Sequence, residues 1–135
     1  MRQLVNDYLD ALASRDIVAM AAFLADDVDV MLYGPIDLFP FFGHQRGKAE
    51  VLRRFGNVAS YLHFRKYECE HVLIDGNDVA AFVHAAAEAI ETGRVISWHM
   101  AMFMRFENGK LKRAQYVVDT FDMVEQVVGH ELAIA

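Results

Sequence analysis

The chain has 135 residues, 55% of them hydrophobic and 24% charged, with a formal net charge of −6. That length and balance suit one domain over residues 1–135 with a real core and a soluble surface. The acidic charge argues against non-specific nucleic-acid binding, which needs a basic face, and the densest basic stretch, Arg46 to Arg54, is too short and diluted to supply one.

The longest uncharged apolar runs, such as Val79–Ala87, fall far short of the roughly 20 residues a membrane helix needs. Met1-Arg2-Gln3-Leu4 lacks the continuous apolar segment of a signal peptide, so a cytoplasmic protein with no membrane contact is expected. The single cysteine, Cys69, excludes an internal disulfide and any multi-cysteine zinc motif.

Along Arg2–Ala13, Leu4, Val5, Tyr8, Leu9 and Leu12 recur at three- and four-residue spacing, which predicts an amphipathic helix. Ser14-Arg15-Asp16 breaks it, and Asp16 is placed to cap a second helix through Leu24. Asp26-Asp27 stop that helix, and Val28, Val30 and Leu32 alternate in a strand over Val28–Tyr33. Gly34–Gly43 reads as a loop carrying both prolines and the apolar tips Leu38, Phe39, Phe41 and Phe42. So apolar a loop must lie on a core, roof a pocket or meet a partner. From Gly47 to about Ser60, Val51, Leu52, Phe55 and Val58 predict a third helix.

The remainder reads as strands over Leu62–Ile74, Val79–Glu91, Val95–Glu107 and Lys110–Phe121, then a helix over Phe121–Val128 that stops at Gly129. Gly76-Asn77, Thr92-Gly93 and Asn108-Gly109 read as two-residue turns, which make the strands antiparallel neighbours in sequence order. The expected fold class is therefore α+β, a curved antiparallel sheet packed on N-terminal helices.

Counting outward from those turns pairs Trp98 with Ala87 and Asp119, Met100 with Ala85 and Val117, and Met102 with Val83 and Gln115. One sheet face then carries Val83, Ala85, Ala87, Trp98, Met100, Met102, Val117 and Asp119, a surface suited to an apolar ligand pocket. On it Asp119 is the one ionisable group. Desolvation would raise its pKa and suit it to acid–base work, whereas its Asp-Thr-Phe-Asp context equally fits a helix cap. The opposite face carries Phe82, His84, Glu88, Ser97, His99, Ala101, Phe103, Tyr116 and Val118, a mixture that resembles a subunit interface. Tyr8 lies on the apolar stripe of the first helix, where it is either core or a hydroxyl donor. Tyr33, before Gly34, points its hydroxyl either inward from a pocket mouth or to the surface. The six histidines form neither a His-x-x-x-His pair nor an H-E-x-x-H motif, so no metal is expected.

Several segments, and the order of elements, resemble the SnoaL-like branch of the nuclear transport factor 2-like superfamily over nearly the whole chain. They are Tyr8-Leu9-Asp10-Ala11-Leu12 through Phe23-Leu24-Ala25-Asp26-Asp27, Phe42-Gly43-His44-Gln45-Arg46-Gly47-Lys48, Arg105-Phe106-Glu107-Asn108-Gly109-Lys110-Leu111, and Tyr116-Val117-Val118-Asp119-Thr120-Phe121-Asp122. The resemblance implies a cone-shaped sheet wrapped by helices, a deep apolar pocket, and a homodimer through the outer sheet face. Ketosteroid isomerases of this group use a tyrosine at the position of Tyr8, but their two carboxyl positions fall here on Leu32 and Met102. The Arg-x-Asp pair of the epoxide hydrolases falls on Val83 and Ala85, while Asp119 matches their late-strand aspartate and that of the cyclases.

The expected function is a cofactor-independent isomerase, cyclase or hydrolase acting on a small hydrophobic, polyketide-, steroid- or terpenoid-like molecule. Asp119 would be the acid/base, Tyr8 or Tyr33 the hydrogen-bond donor, and Trp98, Met100, Met102, Val83 and Val117 the apolar walls. The alternatives are a non-catalytic module that binds a hydrophobic ligand in the same pocket, and a dimerisation domain whose pocket is filled by its own side chains.

Overall fold

The computed structural model describes residues 1–34 and 41–129. The tips Leu38 and Phe39, and with them the question of whether Gly34–Gly43 closes a pocket, lie outside the described residues. Helix α1 (Arg2–Ser14) buries Val5, Tyr8, Leu9 and Leu12, the stripe its spacing sets out. It ends at Arg15, which adopts a left-handed conformation (φ 57°) and donates its backbone N–H to Ala11 and Leu12. Asp16 then caps α2 (Ile17–Phe23), its side chain accepting from the N–H groups of Val18 and Ala19 at 3.1 Å.

Strand β1 (Leu24–Tyr33) starts four residues before the expected point, and β2 (Gly43–Arg46), which sequence patterning leaves in a loop, pairs with it antiparallel. After α3 (Lys48–Asn57) and a 3₁₀ turn (Val58–Ser60) come β3 (Leu62–Asp75), β4 (Asp78–Ala89), β5 (Val95–Glu107) and β6 (Lys110–Val118). Helix α4 (Thr120–Val128) follows and ends at Gly129, whose φ of 79° suits a residue without Cβ. The six strands form one curved sheet in the order β2-β1-β6-β5-β4-β3. It is mixed rather than wholly antiparallel, because β1 runs parallel to β6. A strand that enters beside the last one, with all the intervening chain between them, has no hairpin to fix its direction.

Two of the three expected turns form as read, with Asp75 opposite Asp78 and Glu107 opposite Lys110. At the latter, Asn108 and Gly109 both take positive φ, as a two-residue turn of this type requires. The third is longer. Ala89 pairs with Arg94 across a four-residue loop, so Trp98 lies opposite Ala85 and Met100 opposite Val83. A shift of two residues leaves every side chain on its expected face, because strand side chains alternate with a period of two.

The departure that matters is a one-residue bulge. Phe106 faces Leu111, but Arg105 faces Arg113, so Lys112 is the extra residue in β6. Beyond it, Met102 faces Tyr116 and Met100 faces Val118. Tyr116 and Val118 therefore share the concave face with Trp98, and Val117 turns outward, 47% exposed. Strand β3 has a similar bulge at Arg65, since Phe64 faces Ala87 whereas Lys66 faces Ala86 and Tyr67 faces Ala85. That extra residue puts Tyr67 on the same face as Leu62 and Phe64. Bulges also bend strands, which helps the sheet wrap around its helices.

The core falls into two adjoining clusters. One joins Val5, Tyr8, Leu9, Leu12, Met20 and Val28 to Val83, Met102 and Phe106. The other groups Phe41, Phe42, Leu62, Ala85, Ala87, Ile96, Trp98, Val118 and Met123. Among the described residues no helix is long and apolar enough to cross a membrane.

Candidate functional site

A cavity of about 120 Å³ lies where the two core clusters meet. Its apolar walls come from α1 and α2 (Leu12, Met20), β1 (Val30, Leu32), the sheet (Trp98, Met100, Val118) and the residues around β2 and α4 (Phe41, Phe42, Met123). Its polar lining is small: the phenols Tyr8, Tyr67 and Tyr116, the amide of Gln45, and the guanidinium groups of Arg15 and Arg54. Among the described residues no carboxylate and no imidazole lines it.

Tyr8 is fully buried, and its ring meets Phe23 and Phe106 edge-on at centroid distances of 5.9 and 5.6 Å. Its hydroxyl stands 2.6 Å from that of Tyr116. This pair spans the chamber, from the first helix to the last strand. Tyr67 donates its hydroxyl to the sulfur of Met102 at 3.9 Å, a weak acceptor that leaves the proton available to a better one. Burial pushes all three phenols above the usual tyrosine range, Tyr116 to about 12 and Tyr8 and Tyr67 well above it too. They are therefore neutral at physiological pH. They can donate hydrogen bonds but do not act as bases.

The two arginines differ in their partners. Arg54 donates to the Glu50 carboxylate at 2.8 Å and to the Phe42 carbonyl at 2.9 Å, and so carries its counter-charge with it. Arg15 donates to the Phe55 carbonyl at 2.9 Å, and its guanidinium carbon lies 3.8 Å from the Phe55 ring centre and 4.9 Å from that of Phe64. Desolvation lowers its pKa to about 10, so it remains a cation at neutral pH, and its charge reaches all three phenols. Gln45 is held by its own amide, which donates to the Phe41 carbonyl at 2.8 Å.

The expected site residues separate on this geometry. Tyr8, Trp98 and Met100 line the cavity; Met102 and Val83 are buried on the same sheet face behind it. Tyr33 and Val117 lie on the outer side, 44% and 47% exposed. Asp119 is corrected most. The Lys112 bulge reverses the parity of β6 and takes Asp119 away from Trp98. Its exposed carboxylate caps α4, accepting the Asp122 N–H at 3.1 Å. His84 and His99 are directly paired because of the four-residue loop, and their rings stack at 4.4 Å on the outer face. Among the described residues no cluster of three or more His, Cys, Asp or Glu could hold a metal.

Alternation alone misses Tyr67, Tyr116 and Arg15. The two tyrosines carry a legible signal, since each follows a pair of adjacent charged residues within a strand, Arg65-Lys66 and Lys112-Arg113. Two consecutive solvent-seeking side chains fit a strand only where one of them is a bulge. Arg15 is placed by its left-handed backbone at the α1 terminus, and no spacing rule marks it.

Among known proteins, a family model described as a SnoaL-like domain matches residues 5–114. A solved structure from Rhodopseudomonas palustris, an isomerase by provisional assignment, is 38% identical with a TM-score of 0.84, the match covering 93% of each chain. An NTF2-like protein of unknown function from Burkholderia pseudomallei is 22% identical with a TM-score of 0.83, covering 93% of this chain and 95% of that one. A protein provisionally assigned as a polyketide cyclase from Pseudomonas putida is 21% identical with a TM-score of 0.75, covering 91% and 94%. Among curated proteins no sequence matches.

The capping role of Asp119 is separable from any chemical one. Asp119→Ala should cost about 1 kcal/mol in urea unfolding through loss of the cap, whereas Asp119→Asn, which can still cap, should stay within about 0.5 kcal/mol. Both should leave ligand affinity unchanged; a tenfold loss of affinity in Asp119→Asn would return the carboxylate to the site.

Proposed function

This chain belongs to the SnoaL-like domain family, and on that premise we propose that it binds a single-ring, largely apolar carbonyl compound and promotes its isomerisation by polarising the carbonyl. The observation that carries the proposal is the Tyr8–Tyr116 hydroxyl pair, 2.6 Å apart in a largely apolar cavity. In such a pair one phenol donates to the other, whose own proton is then directed at a ligand oxygen. The first bond polarises the second and strengthens it. Charge that builds on a carbonyl oxygen during enolisation strengthens that hydrogen bond further, and the largely apolar walls keep bulk water from screening it.

Size favours the small end of the hydrophobic substrates expected. An apolar cavity of about 150 Å³ accepts benzene, so one of about 120 Å³ suits a single ring better than a fused steroid skeleton. The provisional assignment of the Rhodopseudomonas palustris protein supports an isomerase over a hydrolase. The described lining offers an electrophile and no base, so the proposal assigns α-proton removal to water.

That missing base favours a second reading, a pocket that binds without turnover. Cyclohexanone in D₂O, followed by NMR, distinguishes the two. Isomerase chemistry predicts accelerated deuterium uptake at the α-carbons, reduced about a hundredfold in Tyr8→Phe and Tyr116→Phe. Binding without accelerated exchange selects the second reading, and absence of binding contradicts both.

The proposal includes a homodimer through the outer sheet face. Phe82, Phe103 and Val117 are exposed there beside the stacked His84 and His99, a density of apolar and aromatic surface that a partner would cover. Light scattering should give twice the chain mass for the wild type and the single mass for Phe103→Glu; a monomeric wild type excludes the dimer.

A further inference from the structure

Among the described residues Arg15 is a cation on the cavity wall without an anion. Its one protein acceptor there is the neutral Phe55 carbonyl, and its guanidinium lies over the Phe55 and Phe64 rings. None of the ion pairs among the described residues includes it, whereas Arg54 on the same cavity is neutralised by Glu50. A guanidinium has five N–H donors, and Phe55 uses one. Taking such a group partly out of water is unfavourable unless a counter-charge meets it. No described residue supplies that counter-charge, although the chain has 19 acidic residues against 13 Lys and Arg.

We propose that the ligand provides it: the cavity takes a small ring compound bearing a carboxylate, which Arg15 holds while the phenols hold its other oxygen. This rests on the pocket reading above and narrows the ligand class within it. Three features of the site fit an anion. The described lining contains no carboxylate to repel it. Tyr67, with only a sulfur as acceptor, has a hydroxyl to offer it. The planar guanidinium, packed on the Phe55 and Phe64 rings, has the paired donors that match a carboxylate. The overall charge of −6 disfavours anions at long range, so selectivity would reside in this one residue.

Benzoate and its neutral isostere benzamide test the proposal by calorimetry at pH 7.5. The wild type should bind benzoate at least tenfold more tightly than benzamide. Arg15→Gln should weaken benzoate about tenfold to a hundredfold and leave benzamide unchanged, with Arg15→Lys between them. Should Arg15→Gln fail to fold, the wild-type preference alone decides. Equal binding of the two probes, or benzoate binding that survives Arg15→Gln, overturns the carboxylate and leaves the pocket reading intact. If neither probe binds, the pocket reading fails and this inference with it.

Discussion

The hydrogen bond between the hydroxyls of Tyr8 and Tyr116 joins residues 108 positions apart and links the first helix to the last strand across the cavity. It has structural preconditions. α1 must lie with its buried stripe toward the sheet, and β6 must gain one residue at Lys112 so that Tyr116 rather than Gln115 faces inward. A net contribution of about 0.5–1.5 kcal/mol is ordinary for a hydrogen bond. Its place matters more, because it joins two of the few polar groups in a chamber whose walls are mostly aliphatic or aromatic.

That chamber sits in a family scaffold and draws its polarity from phenols, one amide and two guanidinium groups. The two positions onto which the resemblance to ketosteroid isomerases maps their carboxyls are Leu32, which lines the cavity, and Met102, which is buried behind it and accepts the Tyr67 hydroxyl. Both are apolar. Polarity comes instead from phenols kept protonated by burial, from the Gln45 amide and from two guanidinium groups, of which Arg15 packs on the Phe55 ring. Such a lining stabilises negative charge on a ligand oxygen and does not itself remove a proton. This distinction separates the chemistry proposed here from the aspartate-based one that late-strand similarity implies.

The fold was legible because its signals are redundant. Helical spacing over Arg2–Ala13, the Asp16 cap, and turns at Gly76-Asn77 and Asn108-Gly109 each fix one element locally, and each agrees with its neighbours. Even the misjudged Thr92-Gly93 turn did no harm, since a two-residue shift preserves side-chain parity. The site was less legible because it depends on parity alone. One extra residue at Lys112 exchanged Val117 and Asp119 for Tyr116 and Val118, and another at Arg65 brought Tyr67 inward. The parallel pairing of β1 with β6 was also hidden, because strands so distant in sequence carry no local record of their mutual direction.

The claim on which the rest stands is that two protonated phenols share a short, water-shielded hydrogen bond inside this cavity. Proton NMR of the hydroxyl region tests it directly. A slowly exchanging, downfield tyrosine hydroxyl resonance in the wild type, lost in both Tyr8→Phe and Tyr116→Phe, is the predicted result. A spectrum without that resonance, or one in which it persists in Tyr116→Phe, would contradict the inward placement of Tyr116 and the site built on it.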